Sequence, residues 1–298
     1  MIGTIVIISV VIAGVKLLTY QGKKKMLHRH YTQFCAPPAK HETDIIFAGN
    51  ELTLAAADVH KMLMKRFQYY HDLEPRLQQK FIERLQTFMR QKTFIIKDDE
   101  GFKDMPVLTS AAAVQLTFGL KEYLLPFYQY IRIYPEEYCS EEALKILMGN
   151  VRNNVISIAW SHLLQGYAVS NDGSNVMLHE MGHALYMQKM VIDNNFAKPF
   201  AKKFNNVIEH CTEACAHEVA GRKNLYSTYA EADLQEFWAE SVELFFEKPE
   251  LLYQCHPQVY QAMQLLLQQN PQNKTNPLVK TKTSIREKLA LVADLLTT

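Results

Sequence analysis

The chain has 298 residues, of which 48% are hydrophobic and 21% are charged, and its formal net charge is +1. These values are ordinary for a globular protein large enough to bury a substantial core. A net charge near zero provides no field for nucleic acid, so we expect no nucleic-acid partner. Five cysteines form an odd set without the spacing of a disulfide framework, which is typical of a reducing compartment.

The amino terminus differs from the rest of the chain. Residues 1–20 form an apolar run that only Lys16 interrupts, and Lys23–Lys25 follow it. A run of this length predicts a short transmembrane helix, with a buried core helix as the alternative. No basic segment precedes the run, which argues against a cleaved signal peptide. Because the positive charges follow the run, we expect a single-pass protein of the cell membrane with its folded part in the cytoplasm.

Two subdomains are predicted after this anchor. Residues 21–55 form a polar linker with little periodicity, and residues 56–150 a helical amino-terminal subdomain. Apolar residues recur at helical spacing from Ala55 to about Arg90, which favours two helices there. The elements expected next are a short strand over residues 92–96, an apolar helix over 109–119 and an alternating strand over 130–135.

The second subdomain is predicted over residues 151–275. Its alternating segment Val155–Trp160 indicates a strand that pairs with the strand over 130–135 in a small sheet. Residues 276–298 contain a capping-box pattern before an apolar set, which predicts a docked terminal helix, with a partner-binding tail as the alternative. Helices are expected over 175–190, 201–220 and 233–246, and a further helix is expected to end near residue 270. The predicted fold class is therefore α+β, mainly α with a small β-sheet.

The motif with the clearest chemistry is His179-Glu180-Met181-Gly182-His183. Residues four apart lie on one face of an α-helix, so both imidazoles can reach one metal ion while Glu180 lies beside it. This pattern is typical of zinc hydrolases, although it also occurs as a plain polar helix face. A catalytic zinc needs a third protein ligand, which must come from another part of the chain.

Two later glutamates are candidates for the third ligand. The metzincin pattern is excluded because Tyr186 and Lys189 occupy the positions at which it requires glycine and histidine. A carboxylate from a later helix is the remaining common arrangement. Glu236 and Glu240 are one turn apart on the same helix face, so one can bind the metal while the other orients a histidine.

Several separated segments of the chain occur together, in the same order, in one known family. They are Ile133–Glu137, Ile158–Trp160, Asn175–Glu180, Tyr229, Glu236–Glu240 and Ser241–Pro249. By these segments the chain, between about residues 81 and 271, resembles the MtfA (Mlc titration factor) family of zinc peptidases, which is similar around the metal to the catalytic domain of anthrax lethal factor. The resemblance implies a zincin-like metallopeptidase domain after the anchor.

The resemblance also implies roles for individual residues. Zn²⁺ would be bound by His179, His183 and Glu236. Glu180 would act as the general base that activates a water molecule for hydrolysis of a peptide bond. Tyr229 matches the spacing of a tyrosine that stabilises the tetrahedral oxyanion, although plain packing is the alternative for it.

Two further expectations concern the surroundings of the metal. Glu240 is the candidate for holding the tautomer of a ligating histidine, and it is also the runner-up to Glu236 as ligand. The strand Val155–Trp160 is expected to bind an extended peptide along its edge.

Two functions from different classes follow. The first is a membrane-anchored zinc metallopeptidase that acts on peptides or proteins in the cytoplasm. The alternative, implied by the resemblance, is an anti-repressor that binds and sequesters a transcriptional regulator. The presence of Glu180 favours the peptidase because a pure binding protein needs no general base.

A second group of metal-ligand types occurs at His210, Cys211, Cys215 and His217. No second pair of cysteines or histidines stands at the spacing of a structural zinc site. We therefore expect these residues to be inert positions of a helix.

Overall fold

The structure, a computed structural model, describes most of the chain between residues 44 and 279. No helix in this described part is both long and apolar enough to cross a membrane. The predicted anchor over residues 1–20, residues 21–43 of the predicted linker and residues 280–298 of the predicted tail lie outside it. The rest of the predicted linker is not without structure, because Ile45–Ala48 form a strand. The described ranges are 44–52, 54–97, 104–140, 145–193, 199–219, 225–227, 230 and 233–279, with the backbone alone for 215–219.

Helices make up most of the described fold, which confirms the predicted mainly α class with a small sheet. The helix predicted over residues 109–119 begins earlier, and the one predicted over 175–190 changes to a π-helix at Met187–Ile192. The helices are α1 (Ala56–Arg66), α2 (Gln68–Asp72), α3 (Pro75–Arg90), α4 (Asp104–Thr117), α5 (Trp160–Ala168), α6 (Val176–Tyr186), α7 (Pro199–Val219), α8 (Leu234–Glu247), α9 (Pro249–Cys255) and α10 (Pro257–Leu267).

The strands form a mixed sheet and a small hairpin. They are β1 (Ile45–Ala48), β2 (Thr93–Ile96), β3 (Tyr130–Tyr134), β4 (Tyr138–Ser140), β5 (Lys145–Leu147), β6 (Gly149–Arg152) and β7 (Val155–Ala159). The five-stranded sheet has the order β1-β2-β3-β7-β6, and β4 pairs with β5. The central strands β2, β3 and β7 are parallel, whereas β1 and β6 are antiparallel to their neighbours. The sheet therefore contains strands from both sides of residue 150.

The predicted pairing of the two alternating segments is confirmed. Ile131 and Ile133 of β3 lie opposite Ile156 and Ile158 of β7, and all four side chains are fully buried. Because side chains alternate along a strand, these four isoleucines occupy one face of the sheet. That face is part of the core on which the helices pack.

The prediction that Val155–Trp160 binds a peptide along its edge is wrong. β7 lies between β3 and β6, so both of its edges are already paired. The alternating pattern indicated a strand correctly but contained no information on its position in the sheet. The strand at this end of the sheet is β6, which the sequence analysis did not identify.

A buried lysine holds the segment that leads into β3. Lys92 is 2% exposed, and its ammonium donates hydrogen bonds to the carbonyls of Leu124, Leu125 and Tyr128 at 2.7–3.0 Å. The same ammonium lies 4.6 Å from the centroid of the Phe88 ring. One side chain thus provides donors for three carbonyls of a segment without regular structure.

Replacing Lys92 with Met should destabilise the fold. Methionine keeps the contact with the ring but leaves two buried carbonyls and one partly buried carbonyl without this donor. We therefore expect a loss of about 2–4 kcal/mol in the free energy of unfolding and a Tm lower by about 5–10 °C. Urea unfolding followed by circular dichroism measures the change. The exposed Lys121→Met is the control and should change stability by less than about 0.5 kcal/mol. Equal stability of the two variants would contradict the role given to Lys92.

Candidate metal centre

The motif helix α6 begins at a capped residue. The side-chain oxygen of Asn175 accepts a hydrogen bond from the backbone N–H of Leu178 at 3.1 Å, which satisfies one of the free donors at the helix start. His179 and His183 follow on one helix face, and their ring centroids are 4.8 Å apart. The capped start therefore leads directly into the two histidines.

The second helix of the centre is α8. Asp233 caps it by accepting a hydrogen bond from the N–H of Gln235 at 2.7 Å, which places Glu236 in the first turn. A carboxylate in this position is stabilised by the partial positive charge of a helix N-terminus. The sequence prediction of a helix from residue 233 thus agrees with the structure to within one residue.

Helices α6 and α8 pack closely at Gly182. A Cβ atom at this position would lie 3.4 Å from the Cα of Ala239, so the two backbones are in near contact. The indole N–H of the fully buried Trp238 donates to the carbonyl of Gly182 at 2.9 Å. This packing brings the start of α8 beside the histidine face of α6.

The ligand atoms of three residues converge between the two helices. Nε2 of His179 lies 3.1 Å from Oε2 of Glu236 and 3.1 Å from Nε2 of His183. Nε2 of His183 lies 3.5 Å from Oε1 of Glu236. Ligands about 2.0–2.1 Å from a tetrahedral zinc stand roughly 3.3–3.4 Å from one another, so this donor set fits the ion. The Glu236 side chain is 38% exposed, which leaves the centre open to solvent on one side.

The same contacts determine the charge state without a metal. Burial lowers the pKa of His179, but hydrogen bonds with Glu236 and Glu243 outweigh burial and raise this pKa to about 10. The hydrogen bonds with His179 and His183 hold the pKa of Glu236 well below its usual range. At neutral pH the metal-free centre therefore contains a protonated His179 beside an ionised Glu236.

Glu180 lies buried beside the histidines and under the sheet edge. It is 7% exposed, and burial raises its pKa to about 7. Its Oε1 is 2.7 Å from the point that a Cβ of residue 149 would occupy. Gly149 of β6 therefore leaves the space in which the Glu180 side chain lies, a feature that the sequence analysis missed.

Glu243, and not Glu240, contacts a predicted metal ligand. Oε1 of Glu243 lies 2.7 Å from Nδ1 of His179. Glu240 instead accepts hydrogen bonds from the backbone N–H and the hydroxyl of Ser227. The contact with a histidine that was expected of Glu240 is therefore made by Glu243, one turn further along the helix. Helix periodicity makes Glu243 a candidate beside Glu240, because positions i, i+4 and i+7 share a helix face, but it does not choose between them.

The Glu243 contact belongs to a larger hydrogen-bond network. The second oxygen of Glu243 accepts from the backbone N–H of Asn175 at 2.5 Å. Glu247 accepts from the Asn175 side-chain amide at 2.9 Å and from the N–H of Gly173 at 3.0 Å. Two carboxylates of α8 thus hold the residue that caps α6.

Tyr229 lies outside the described residues, so its role stays a prediction. The nearby Tyr226 is a packing residue. Its ring stacks on Phe237 with centroids 3.8 Å apart, and its hydroxyl is 2.9 Å from that of Ser241. Such contacts place Tyr226 in the core beside α8.

The second group of possible ligands is only partly described. His210 lies near Asn206 and Glu213, and Cys211 is fully buried. The side chains of Cys215 and His217 lie outside the described residues. The expectation that these positions are inert therefore stays a prediction.

Comparison with known proteins places the chain in a family. Residues 50–268 match the glucose-regulated metallo-peptidase M90 family, to which MtfA belongs. The chain is also similar to an uncharacterized protein of Synechocystis, with 25% identity over 227 residues that cover 68% of this chain and 80% of that protein. The family match extends over more than half of the chain and includes α6, α8 and the sheet edge β6. The chain therefore belongs to the glucose-regulated metallo-peptidase M90 family.

Proposed function

We propose that the protein is a zinc-dependent peptidase of the zincin type. The observation that supports this most strongly is the convergence of His179, His183 and Glu236, whose ligand atoms all lie within 4.8 Å of one another beside the buried Glu180. Two histidines and one carboxylate form a common zinc ligand set in hydrolases. The open side of the centre offers room for a substrate carbonyl.

Glu180 is proposed as the general base of the reaction. When bound, the zinc ion supplies Lewis-acid polarisation of the scissile carbonyl and acidifies the attacking water. Glu180 accepts the proton of that water and later donates it to the leaving amine. In the metal-free protein burial raises the pKa of Glu180 to about 7, so this carboxylate is a stronger proton acceptor than an exposed glutamate. Tyr229 is proposed to stabilise the oxyanion.

The substrate peptide is proposed to bind along β6. Met148 accepts a hydrogen bond from the N–H of Ala159 at 2.7 Å, and bonded and non-bonded pairs alternate along an antiparallel ladder. The N–H and C=O groups of Gly149 and Val151 therefore point away from β7, toward the outer side of β6. An extended peptide can pair with these groups directly beside Glu180.

The location and partners are proposals as well. Residues 1–20 are proposed to anchor the protein in the cell membrane, with the M90 domain in the cytoplasm, where it acts on peptides or proteins. A transcriptional regulator as partner is the alternative to a substrate. The buried Glu180 favours hydrolysis, because sequestration of a regulator needs no general base.

Replacing Glu180 with Gln tests the proposed reaction. The amide cannot accept a proton, so we expect peptide hydrolysis to fall by about 10²–10⁴-fold while zinc remains bound at one equivalent. The activity is measured as cleavage of a diverse peptide library by the full chain, with and without a chelator. Metal analysis measures the bound zinc. Unchanged hydrolysis in this variant would contradict the mechanism. Absence of cleavage by the zinc-loaded wild type would favour the binding function.

Zinc binding should release a proton from the centre. The pKa of His179 is raised above its ordinary value to about 10, so this histidine is protonated below that pH and the metal must displace its proton. We expect at least one proton released per zinc at pH 8, since the acidified water can add to the proton of His179, and an affinity that falls by about tenfold or more per pH unit as the pH decreases from there. Calorimetry in buffers of different ionisation enthalpy counts the proton. A release of zero protons would show that His179 is neutral in the metal-free protein.

The glycine at the sheet edge should be necessary for activity. In Gly149→Ala the new Cβ would lie 2.6–2.9 Å from side-chain atoms of Glu180, so this buried carboxylate must move. We expect kcat to fall by about tenfold or more with zinc content unchanged, since the general base is displaced and the ligands are not. Asn150→Ala, at the next position of β6, is the control, because its side chain points to the opposite face of the sheet. Equal activity of the two variants would contradict the role of Gly149.

A further inference from the structure

The two ring nitrogens of His179 face different carboxylates. Nε2 points to the metal centre, where Glu236 lies at 3.1 Å, and Nδ1 points to Glu243 at 2.7 Å. Glu243 is 6% exposed, so water does not compete strongly for this contact. The ring is therefore held from both sides, by one carboxylate near the start of α8 and one two turns later.

Both oxygens of Glu243 act as acceptors. The backbone N–H of Asn175 can only donate, and it donates to Oε2 at 2.5 Å. The remaining oxygen, Oε1, is the partner of His179 Nδ1. Burial raises the pKa of Glu243, whereas the contacts with His179 and with the Asn175 N–H favour its ionised form. In that form the carboxylate has no hydrogen to give, so Nδ1 is the donor in this second contact as well.

We propose that Glu243 is a positioning residue that keeps the proton of His179 on Nδ1 and thereby presents the lone pair of Nε2 to the metal. This inference rests on the metal centre of the proposed function. A histidine with its hydrogen on Nε2 cannot bind a metal through that atom. The contact with Glu243 also fixes the ring orientation and increases the basicity of the ligating nitrogen.

The carboxylates of α8 are spaced for this division of roles. Glu236, Glu243 and Glu247 are seven and four residues apart, which places all three on the face of α8 that meets α6. Glu236 contacts both histidines, and Glu243 contacts His179. Glu247 accepts hydrogen bonds from the loop and the cap residue before α6. The same helix face thus provides a metal ligand, an orienting residue and a support for the helix start.

Glutamine at position 243 separates this role from plain packing. Its amide has the size of the carboxylate but contains one acceptor and one donor in place of two acceptors. If the NH₂ group faces His179, Nδ1 must become the acceptor and the ring hydrogen moves to Nε2. If the NH₂ group faces Asn175, two donors face each other, and the backbone N–H of this cap residue loses its acceptor. The first arrangement is incompatible with metal binding through Nε2.

Glu247→Gln is the matched control. Glu247 lies on the same helix, is 8% exposed and also accepts two hydrogen bonds, but it does not touch His179. Both substitutions change one buried carboxylate of α8 into an amide. An effect that appears only in Glu243→Gln is therefore due to one of the two contacts of Glu243, with His179 Nδ1 or with the N–H of Asn175. Nitrogen-15 NMR of the His179 ring in this variant shows which of the two has changed.

The experiment compares zinc affinity in the two variants of the full chain by competition with a chromophoric chelator. We expect Glu243→Gln to bind zinc about 10–100-fold more weakly than the wild type and to change the visible spectrum of the cobalt-loaded protein. Glu247→Gln should retain wild-type affinity and spectrum. Glu236→Ala removes a proposed ligand and shows how much zinc affinity is lost when a direct contact with the metal is absent. Wild-type affinity in Glu243→Gln, or an equal loss in both glutamine variants, would overturn the proposal.

A measurement on the wild type keeps the proposal testable if Glu243→Gln does not fold. Nitrogen-15 NMR of the zinc-loaded protein reports which ring nitrogen of His179 carries the hydrogen. A hydrogen on Nδ1 is expected, and zinc bound through Nδ1 would overturn the proposal. Because none of these readouts uses hydrolysis, a chain that binds zinc in this way without cleaving peptides would contradict the proposed peptidase and leave the role of Glu243 intact.

Discussion

The close contact between α6 and α8 is the constraint on which the metal centre depends. The two helices lie close together at Gly182, where an added Cβ would be in van der Waals contact with Ala239 and Val242 at 3.4–3.6 Å. The hydrogen bond from Trp238 to the Gly182 carbonyl fixes that approach. A change in this packing would move Glu236 relative to the two histidines.

The electrostatics of the centre follow from the burial that this packing creates. Carboxylates of α8 surround His179 and outweigh the desolvation of its ring, so the metal-free histidine retains a proton. At Glu180 the largest effect is burial, which outweighs the nearby histidines and raises its pKa to about 7. The two neighbours in the sequence thus differ in charge behaviour because their side chains leave the helix toward different surroundings.

Helix periodicity predicted much of the centre. The spacing of His179 and His183 and the helix around Glu236 are local features, and the structure brings these three residues together. The choice between Glu240 and Glu243 could not be made in this way, because both lie on the same face as Glu236, displaced by about 40° and 20° around the helix axis. The distance along α8 at which His179 meets this face depends on how the two helices pack.

At the sheet edge, too, the local sequence predicted one strand and the packing decided which strand lies outermost. The alternating pattern of Val155–Ala159 determined that this segment is a strand, whereas β6 contains a glycine, an asparagine and an arginine in four residues and has no clear pattern. The sequence by itself determined the residue types of the candidate ligand set and the helices that present them, because hydrophobic periodicity and capping act over a few residues. Only the tertiary structure decided which glutamate contacts the histidine ring and which strand lies at the edge beside Glu180. Those contacts join residues far apart in the chain, and packing alone sets their distances.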